Sequence, residues 1–509
     1  MSRGKNKHIL KSASIIGFAT IVSRLLGFLR DILIASFFGT ASYAQAFVVA
    51  FRIPNMLRDL VGEGATNAAF VPVLSEYSET KDRSDYWKLA NVLLCVLLIA
   101  LSLITVLGMI FSPVIVRLIA PGFLREPETF KITVYLTRLM FPYVLLVGLL
   151  AYSMGVLNSL RHFSAPAFAS SVLNLSIIVC ALLKKGNVAA LAIGVLIGGI
   201  IQLAMQLPVL FSKGFSFDPR AGLHHPAVKK IGRLLLPRIL GSCVYQINIF
   251  INTMLASLSH IVGQGGVAAL YYANRIFQFP LAIFGIAIAQ AALPTMSREA
   301  LEGDLSKLKE TLSFSLRSIN LIMIPSSVGL MILSRPITRI LFERGMFDSY
   351  STSITASALM FYSIGLFSYS GIKILVSCFY SLKDTATPVK IASISLLINI
   401  LLNFIFMFSM KISGLAFATS CSGIFNFFAL FYLLRKKIGN LDGYKILVSF
   451  IKISMASIVM AFFIYLFYYK INLDLFIVIF VGMASYLASI FLFDLREAKD
   501  FTKWLLKKK

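Results

Sequence analysis

The sequence predicts an all-α polytopic membrane protein of about fourteen transmembrane helices, on three observations. Hydrophobic residues make up 58% of the 509 and charged residues only 14%, with a mean hydropathy of +0.84; soluble domains are roughly 45–50% apolar. The apolar residues come in runs of roughly 20 or more, each long enough to cross a hydrocarbon core of about 30 Å as a helix. The loops between these runs are too short to hold a soluble domain, so the activity lies within or across the bilayer.

Taken in order, the runs predict helices over 13–38, 43–63, 87–111, 132–157, 164–183, 188–211, 232–257, 267–292, 309–333, 352–380, 388–408, 412–434, 446–469 and 472–494. The first follows "MSRGKNKHILK", which imitates a signal peptide. Its run is too long for a signal core and carries two arginines, so it reads as a retained helix, with "AQA" at 44–46 only a weak cleavage mimic.

Orientation follows from the loops. Basic residues gather at the N-terminus, in 211–233 (Lys213, Arg220, Lys229, Lys230, Arg233), in 435–445 (Arg435, Lys436, Lys437, Lys445) and in the tail from Arg496. Lys184–Lys185 and the group Arg335, Arg339 and Arg344 are exceptions that do not reverse the bias. Lysine and arginine stay on the cytoplasmic side, so both termini are expected there, which requires an even number of spans. The closing "FTKWLLKKK" reads as an amphipathic anchor to anionic lipid. A net charge of +26 spread over alternate loops is not the footprint of a nucleic-acid binder, which would gather it on one face with aromatics. Cys95, Cys180, Cys243, Cys378 and Cys421 have no CxxC spacing and read as isolated thiols in apolar segments.

An internal echo divides the body. "FRIPNMLRDLVGEGATNAAFVPVLSEY" (51–77) resembles "NRIFQFPLAIFGIAIAQAALPTMSRE" (274–299), placing a repeat on the second and eighth helices. Two parallel lobes of six helices are typical of transporters with substrate between the halves. The resulting division is an N-lobe over 1–212, a cytoplasmic amphipathic linker over 213–231, a C-lobe over 232–435, and two further helices with a basic tail over 436–509.

Ten basic residues fall inside the expected spans: Arg24, Arg30, Arg52, Arg58, Arg138, Arg238, Arg275, Arg317, Lys373 and Lys452. Each costs about 2.5–3.5 kcal/mol at mid-bilayer on insertion scales. Arg138, Arg238 and Lys452 are expected to snorkel or pair locally. In the first two helices "SRLLGFLRD" and "FRIPNMLRD" put Arg24 and Arg52 near mid-depth, each seven residues before a carboxylate, Asp31 or Asp59. Two turns separate each pair by about 10 Å, so direct neutralisation is not expected. Arg30 and Arg58 are better placed to meet those acids through another helix. Even with Glu63 the two helices stay net positive, which points to a water-filled cavity for an anion; arginine's planar fork suits phosphate oxygens. Gly17, Gly27, Gly39, Pro54, Gly62 and Gly64 mark helices able to bend. With no P-loop, HExxH or evident Ser/His/Asp constellation, a gradient- or potential-driven transporter fits better than a pump or an enzyme.

"SRLLGFLRD", "FRIPNMLRDLVGEGA…AFVPVLSEY", "YYANRIFQFPLAIFGIAIAQAALP" and "SLKDTATP" resemble the MurJ (MviN) lipid II flippases of the multidrug/oligosaccharidyl-lipid/polysaccharide exporter superfamily, over essentially the whole chain. The resemblance implies two six-helix lobes in a V around a cationic cavity, with the last two helices forming a lipid groove. It implies a bacterial inner-membrane protein that moves undecaprenyl-pyrophosphate carrying the peptidoglycan disaccharide-pentapeptide to the outer leaflet by alternating access. It needs no cofactor, and cell-wall synthesis and division proteins are further possible partners beside membrane lipids. Arg24, Arg30, Arg58 and Arg275 match essential cavity residues, Arg52 the basic position of the second helix, and Asn55 a polar cargo position; Glu63, with Asp31 and Asp59, would gate. The chain departs from relatives in carrying Gln45, Asn274 and Gln278 where acids are often found, leaving the cavity more positive. The positions nearest a relative's sodium site are Asn252, Asn399, Asn403 and Thr419; without a carboxylate, which a hard cation prefers, sodium coupling is disfavoured and interhelical amide bonds are the plainer reading. A flippase for another polyprenyl-pyrophosphate glycan and a non-transporting precursor-binding scaffold remain the alternatives.

Overall fold

The computed structural model describes residues 2–58, 69–162, 164–220 and 222–494, without the side chains of 2–16, 57, 164–167 and 236–242. Among the described residues helix is the regular structure, and the chain forms two compact units, Met1–Leu258 with Arg344–Phe347, and Ser259–Glu343 with Asp348–Lys509.

The first unit holds α1 (Ser2–Phe38), α2 (Ser42–Leu57), α3 (Val71–Thr80), α4 (Arg83–Ile110), α5 (Ser112–Ile119), α6 (Pro127–Met140), α7 (Pro142–Ser159), α8 (Ser164–Leu183), α9 (Val188–Ser212) and α10 (Pro226–Ala256). Prolines open the first turns of α3, α5, α6, α7 and α10, where the missing N–H is no loss. Pro142 therefore breaks the span expected over 132–157 into α6 and α7. α1 packs on α8 and α8 on α9. Gly194 and Gly198 of α9 face the backbone of α8 at Ile177 and Leu173 so closely that a Cβ would collide, the small-residue contact by which membrane helices approach.

The second unit holds α11 (Ser259–Val262), α12 (Gly266–Pro280), α13 (Ile286–Leu301), α14 (Leu305–Ile332), α15 (Ser334–Phe342), α16 (Ser349–Ile364), α17 (Leu366–Ser381), α18 (Ala386–Ile438), α19 (Gly443–Tyr465) and α20 (Leu475–Leu492). A π-helical turn, Leu281–Gly285, joins α12 to α13 just after Pro280. α16 and α17 meet at a 45° bend. α18 is two helices joined at Lys411, whose φ of 54° and ψ of −132° are not helical; the break falls between the spans expected over 388–408 and 412–434. α19 and α20 close on α14 through Ile453, Met460, Ile464, Val478 and Tyr486, and the Tyr486 hydroxyl donates to the Leu321 carbonyl at 2.6 Å.

Every expected span thus coincides with helix in the described residues. By length and composition, eight of these helices are apolar enough to cross a membrane, or nine if the bent α16–α17 pair is one span. That is fewer than fourteen because α18 holds two expected spans in one helix and α1 is not among the eight. The described part of α2 is also only 16 residues long, and α8 and α10 qualify only as the shorter stretches Phe168–Leu183 and Cys243–Ala256.

The first unit runs to Leu258 and so takes in α10, which the sequence reading counts with its second lobe. The linker read as amphipathic over 213–231 is a loop docked on α4, followed by the first turns of α10. Arg83 donates to the Lys213 carbonyl at 2.6 Å, Asn91 to the Ser216 carbonyl at 2.9 Å, and the Asp218 N–H to Asn91 Oδ1 at 2.8 Å. Phe215 joins the buried cluster of Tyr86, Leu89 and Tyr152.

The α1–α2 turn needs a glycine. Gly39 sits at φ +56° and Gly345 at φ +59°, the left-handed region that glycine enters without penalty. A Cβ on either would strike backbone oxygen, of Met346 or of Ser36. The Met346 N–H donates to the Ser36 carbonyl at 2.8 Å, which explains why 344–347 cluster with the first unit.

Candidate functional site

The arginine pairs read from "SRLLGFLRD" and "FRIPNMLRD" lie on α1 and α2, consecutive helices of the first unit. α1 holds Arg24 well inside its length and Arg30 two turns later. α2 carries Arg52 beside Pro54, a proline inside the helix, which removes a backbone donor and bends the chain.

Arg24 is exposed on α1 and makes no hydrogen bond or ion pair within the described residues. Arg30 differs: it is only 5% exposed and Asp31 is fully buried. Arg30 Nε and Nη2 donate to Asp31 Oδ1 at 3.0 and 2.7 Å, and Nη1 donates to Asn174 Oδ1 on α8 at 2.9 Å. Asn174 Nδ2 donates in turn to the Ser23 carbonyl at 3.0 Å. The expectation that Arg30 meets its acid through another helix is corrected: the flexible arginine stem curls back to the adjacent residue on α1. What α8 supplies is an amide, which accepts from Nη1, the nitrogen turned away from Asp31. The same amide stands 3.4 Å from where a Gly27 Cβ would be, an ordinary contact distance.

Arg52, Asn55 and Arg58 are half-buried. Arg58 ends α2, its N–H donating to the Pro54 and Asn55 carbonyls. Asp59 and Glu63, two of the three expected gating acids, lie outside the described residues. Gln45 is 5% exposed, in the first turn of α2.

In the second unit, half-buried Arg275 lies on α12. Its Nη2 donates to the Tyr271 hydroxyl at 3.1 Å, and the guanidinium carbon stands 5.1 Å from that ring's centroid, within cation–π range. Asn274 and Gln278 bond to each other, Gln278 Nε2 donating to Asn274 Oδ1.

Of the expected sodium positions, Asn399, Asn403 and Thr419 come together within the second unit. Asn403 donates to Asn399 Oδ1 at 3.0 Å, and Asn399 Nδ2 reaches Thr419 Oγ1 at 3.5 Å and Ser422 Oγ at 3.4 Å. The first of these lies within the first half of α18 and the Asn399 bonds cross to its second half. Asn252 belongs to α10 of the first unit and donates to Asn248. Among the described residues no group of three or more His, Cys, Asp or Glu is placed to hold a metal.

Two of the other intramembrane cations have local partners. Arg138 Nε donates to Ser112 Oγ at 2.9 Å, and Lys452 Nζ lies 3.5 Å from the Asp494 carbonyl oxygen. Arg238's side chain lies outside the description. Sequence reasoning missed Asn174 and Tyr271. The signal for Tyr271 was legible, four residues before Arg275 and so one turn away on the same face. Asn174 carried the weaker signal of a lone amide in an apolar helix.

The family model described as "Lipid II flippase MurJ" matches residues 34–486. The "Probable lipid II flippase MurJ" of Buchnera aphidicola subsp. Acyrthosiphon pisum (strain APS) is 34% identical over 458 residues, 89% of each chain. The "Lipid II flippase MurJ" of Burkholderia cenocepacia is 36% identical over 432 residues, 83% of each chain. Among solved structures, a "Lipid II flippase MurJ, inward closed conformation" superposes with a TM-score of 0.80 at 28% identity, covering 94% of this chain and 98% of that one. An inward-facing multidrug resistance MATE transporter of the MOP superfamily superposes at 0.69 with 16% identity, covering 82% and 96%, a likeness of fold alone.

Proposed function

The chain belongs to the MurJ lipid II flippase family, transporters and not enzymes, and from that premise we propose that its membrane arginines carry the pyrophosphate of lipid II across the bilayer. The observation that carries this reading is Arg24: an exposed cation, without a partner among the described residues, well inside a membrane helix. Such a charge is tolerated where water and an anion reach it. Arg52 and Arg58 on α2 and Arg275 on α12 act with it. Arg30, engaged by Asp31 and Asn174, positions α1 against α8 and keeps the Arg24 face presented.

The protein is a multi-pass membrane protein; fourteen spans with both termini cytoplasmic complete the proposal. In it the two lobes of the sequence reading rock by alternating access, α19 and α20 guide the polyprenyl tail, and Asp31, Asp59 and Glu63 gate, Glu63 at the cytoplasmic end of the second helix. A membrane potential, negative inside, favours return of the unloaded cationic site, at about 2.3 kcal/mol per charge per 100 mV.

Arg24→Ala protein, reconstituted at native level in vesicles, is expected to lose most lipid II translocation while Arg24→Lys keeps part of it. Full translocation by Arg24→Ala overturns the assignment. Running the assay with competing polyprenyl-pyrophosphate glycans decides the cargo, and binding without translocation supports the scaffold alternative.

A further inference from the structure

Within the second unit, α17 and the two ends of α18 enclose a groove of about 350 Å³, lined by Lys390, Lys436 and Lys437 together with Phe379, Ile394 and Leu433. Its cations differ in state. Lys437 Nζ donates to Asp384 Oδ2 at 2.5 Å, and Asp384 is itself held by Thr387, whose N–H and hydroxyl donate to it at 3.0 and 2.8 Å. Lys390 and Lys436 are exposed and have no carboxylate partner among the described residues, so the groove keeps a local charge of two.

The wall below it is apolar and open. Ile394, Leu397 and Leu401 are 45%, 66% and 62% exposed and fall four, seven and eleven residues after Lys390, on one helical face. At 1.5 Å per residue the stripe runs about 16 Å from Lys390, half of a hydrocarbon core of about 30 Å and so the depth of one leaflet.

We propose that this groove holds an anionic phospholipid, its phosphate between Lys390 and Lys436 and an acyl chain along Ile394, Leu397 and Leu401. Paired ammonium groups match a phosphate, and a one-leaflet apolar stripe directly beneath matches an acyl chain; a free phosphate uses only the first and an apolar helix only the second. The proposal rests on the reading that this end of α18 faces the cytoplasm.

The test uses full-length protein in nanodiscs with a phosphatidylglycerol carrying a photoreactive acyl chain, labelled peptides being mapped by mass spectrometry. Label is expected on 391–401, falling about five-fold for each lysine removed in Lys390→Gln and Lys436→Gln, retained in Lys390→Arg/Lys436→Arg, and insensitive to added inorganic phosphate. Equal labelling by a zwitterionic phosphatidylcholine probe, or no loss in the Gln variants, overturns the proposal. Lys383→Cys in a cysteine-free background reports sidedness independently: cytoplasmic labelling there without lipid label on 391–401 refutes the lipid site and leaves the orientation standing.

Discussion

Among the arginines that the sequence presents as one group, burial makes two kinds. Arg24 is exposed, so its removal takes away a charge but little packing, and surface changes of that sort usually stay within about 0.5 kcal/mol. Arg30 is buried against Asp31 and Asn174. Removing one member of a buried pair costs about 3–5 kcal/mol, because the other charge is left in low dielectric. Arg30→Ala is therefore expected to lower the thermal unfolding midpoint in detergent clearly, and Arg30→Ala/Asp31→Asn to recover part of the loss. Arg24→Ala is expected to leave the midpoint nearly unchanged. An Arg30→Ala midpoint equal to the native one removes the positioning role. Asn174 is part of the same unit, since its amide bonds Arg30 on one side and the α1 backbone on the other.

At the scale of elements, breaks rather than lengths carry the information. Pro142, the bend at Gly365 and the non-helical Lys411 divide stretches that hydropathy alone reads as continuous or merely adjacent. The start of α18 is fastened to its end by Asp384, whose carboxylate receives Lys437 Nζ and the Thr387 N–H. These bonds, the lysine's foremost, hold the carboxyl down at about 2 from an ordinary 3.8. A carboxylate depressed in the folded state stabilises fully above its unfolded pKa, and that contribution is lost as pH falls through the folded value. The stability difference between native protein and Asp384→Asn is thus expected to be constant above about pH 5 and to shrink between about pH 4 and 2. Thermal melts across that range check it, and a difference that grows on acidification contradicts the pairing.

For the whole molecule, the charge asymmetry of the loops makes a prediction that does not depend on any one contact. In a cysteine-free background, Phe217→Cys in the linker is expected to react with a membrane-impermeant maleimide only from the cytoplasmic side. Lys185→Cys, in the α8–α9 loop, is expected to react only from outside. The reverse pattern inverts the topology and with it the direction assigned to cargo movement. The docking of 213–218 on α4 shows that this linker is a built part of the first unit, so its label reports a fixed location.

Composition and hydropathy period by themselves determined an all-helical membrane chain, the position of nearly every helix, and the arginine pairs on the first two. These follow from local physics: length against bilayer thickness, and the cost of a charge in hydrocarbon. The motifs around those arginines also identified the family. Tertiary structure alone decided which arginine is spent inside the protein, because Asn174 stands 144 residues from Arg30 and no spacing rule links them. It likewise decided that Asn399 bonds both Asn403 and Thr419 and that Lys437 is neutralised while Lys390 and Lys436 are not. A side chain's charge is written in the sequence, but its partner is chosen by whichever distant helix packs against it.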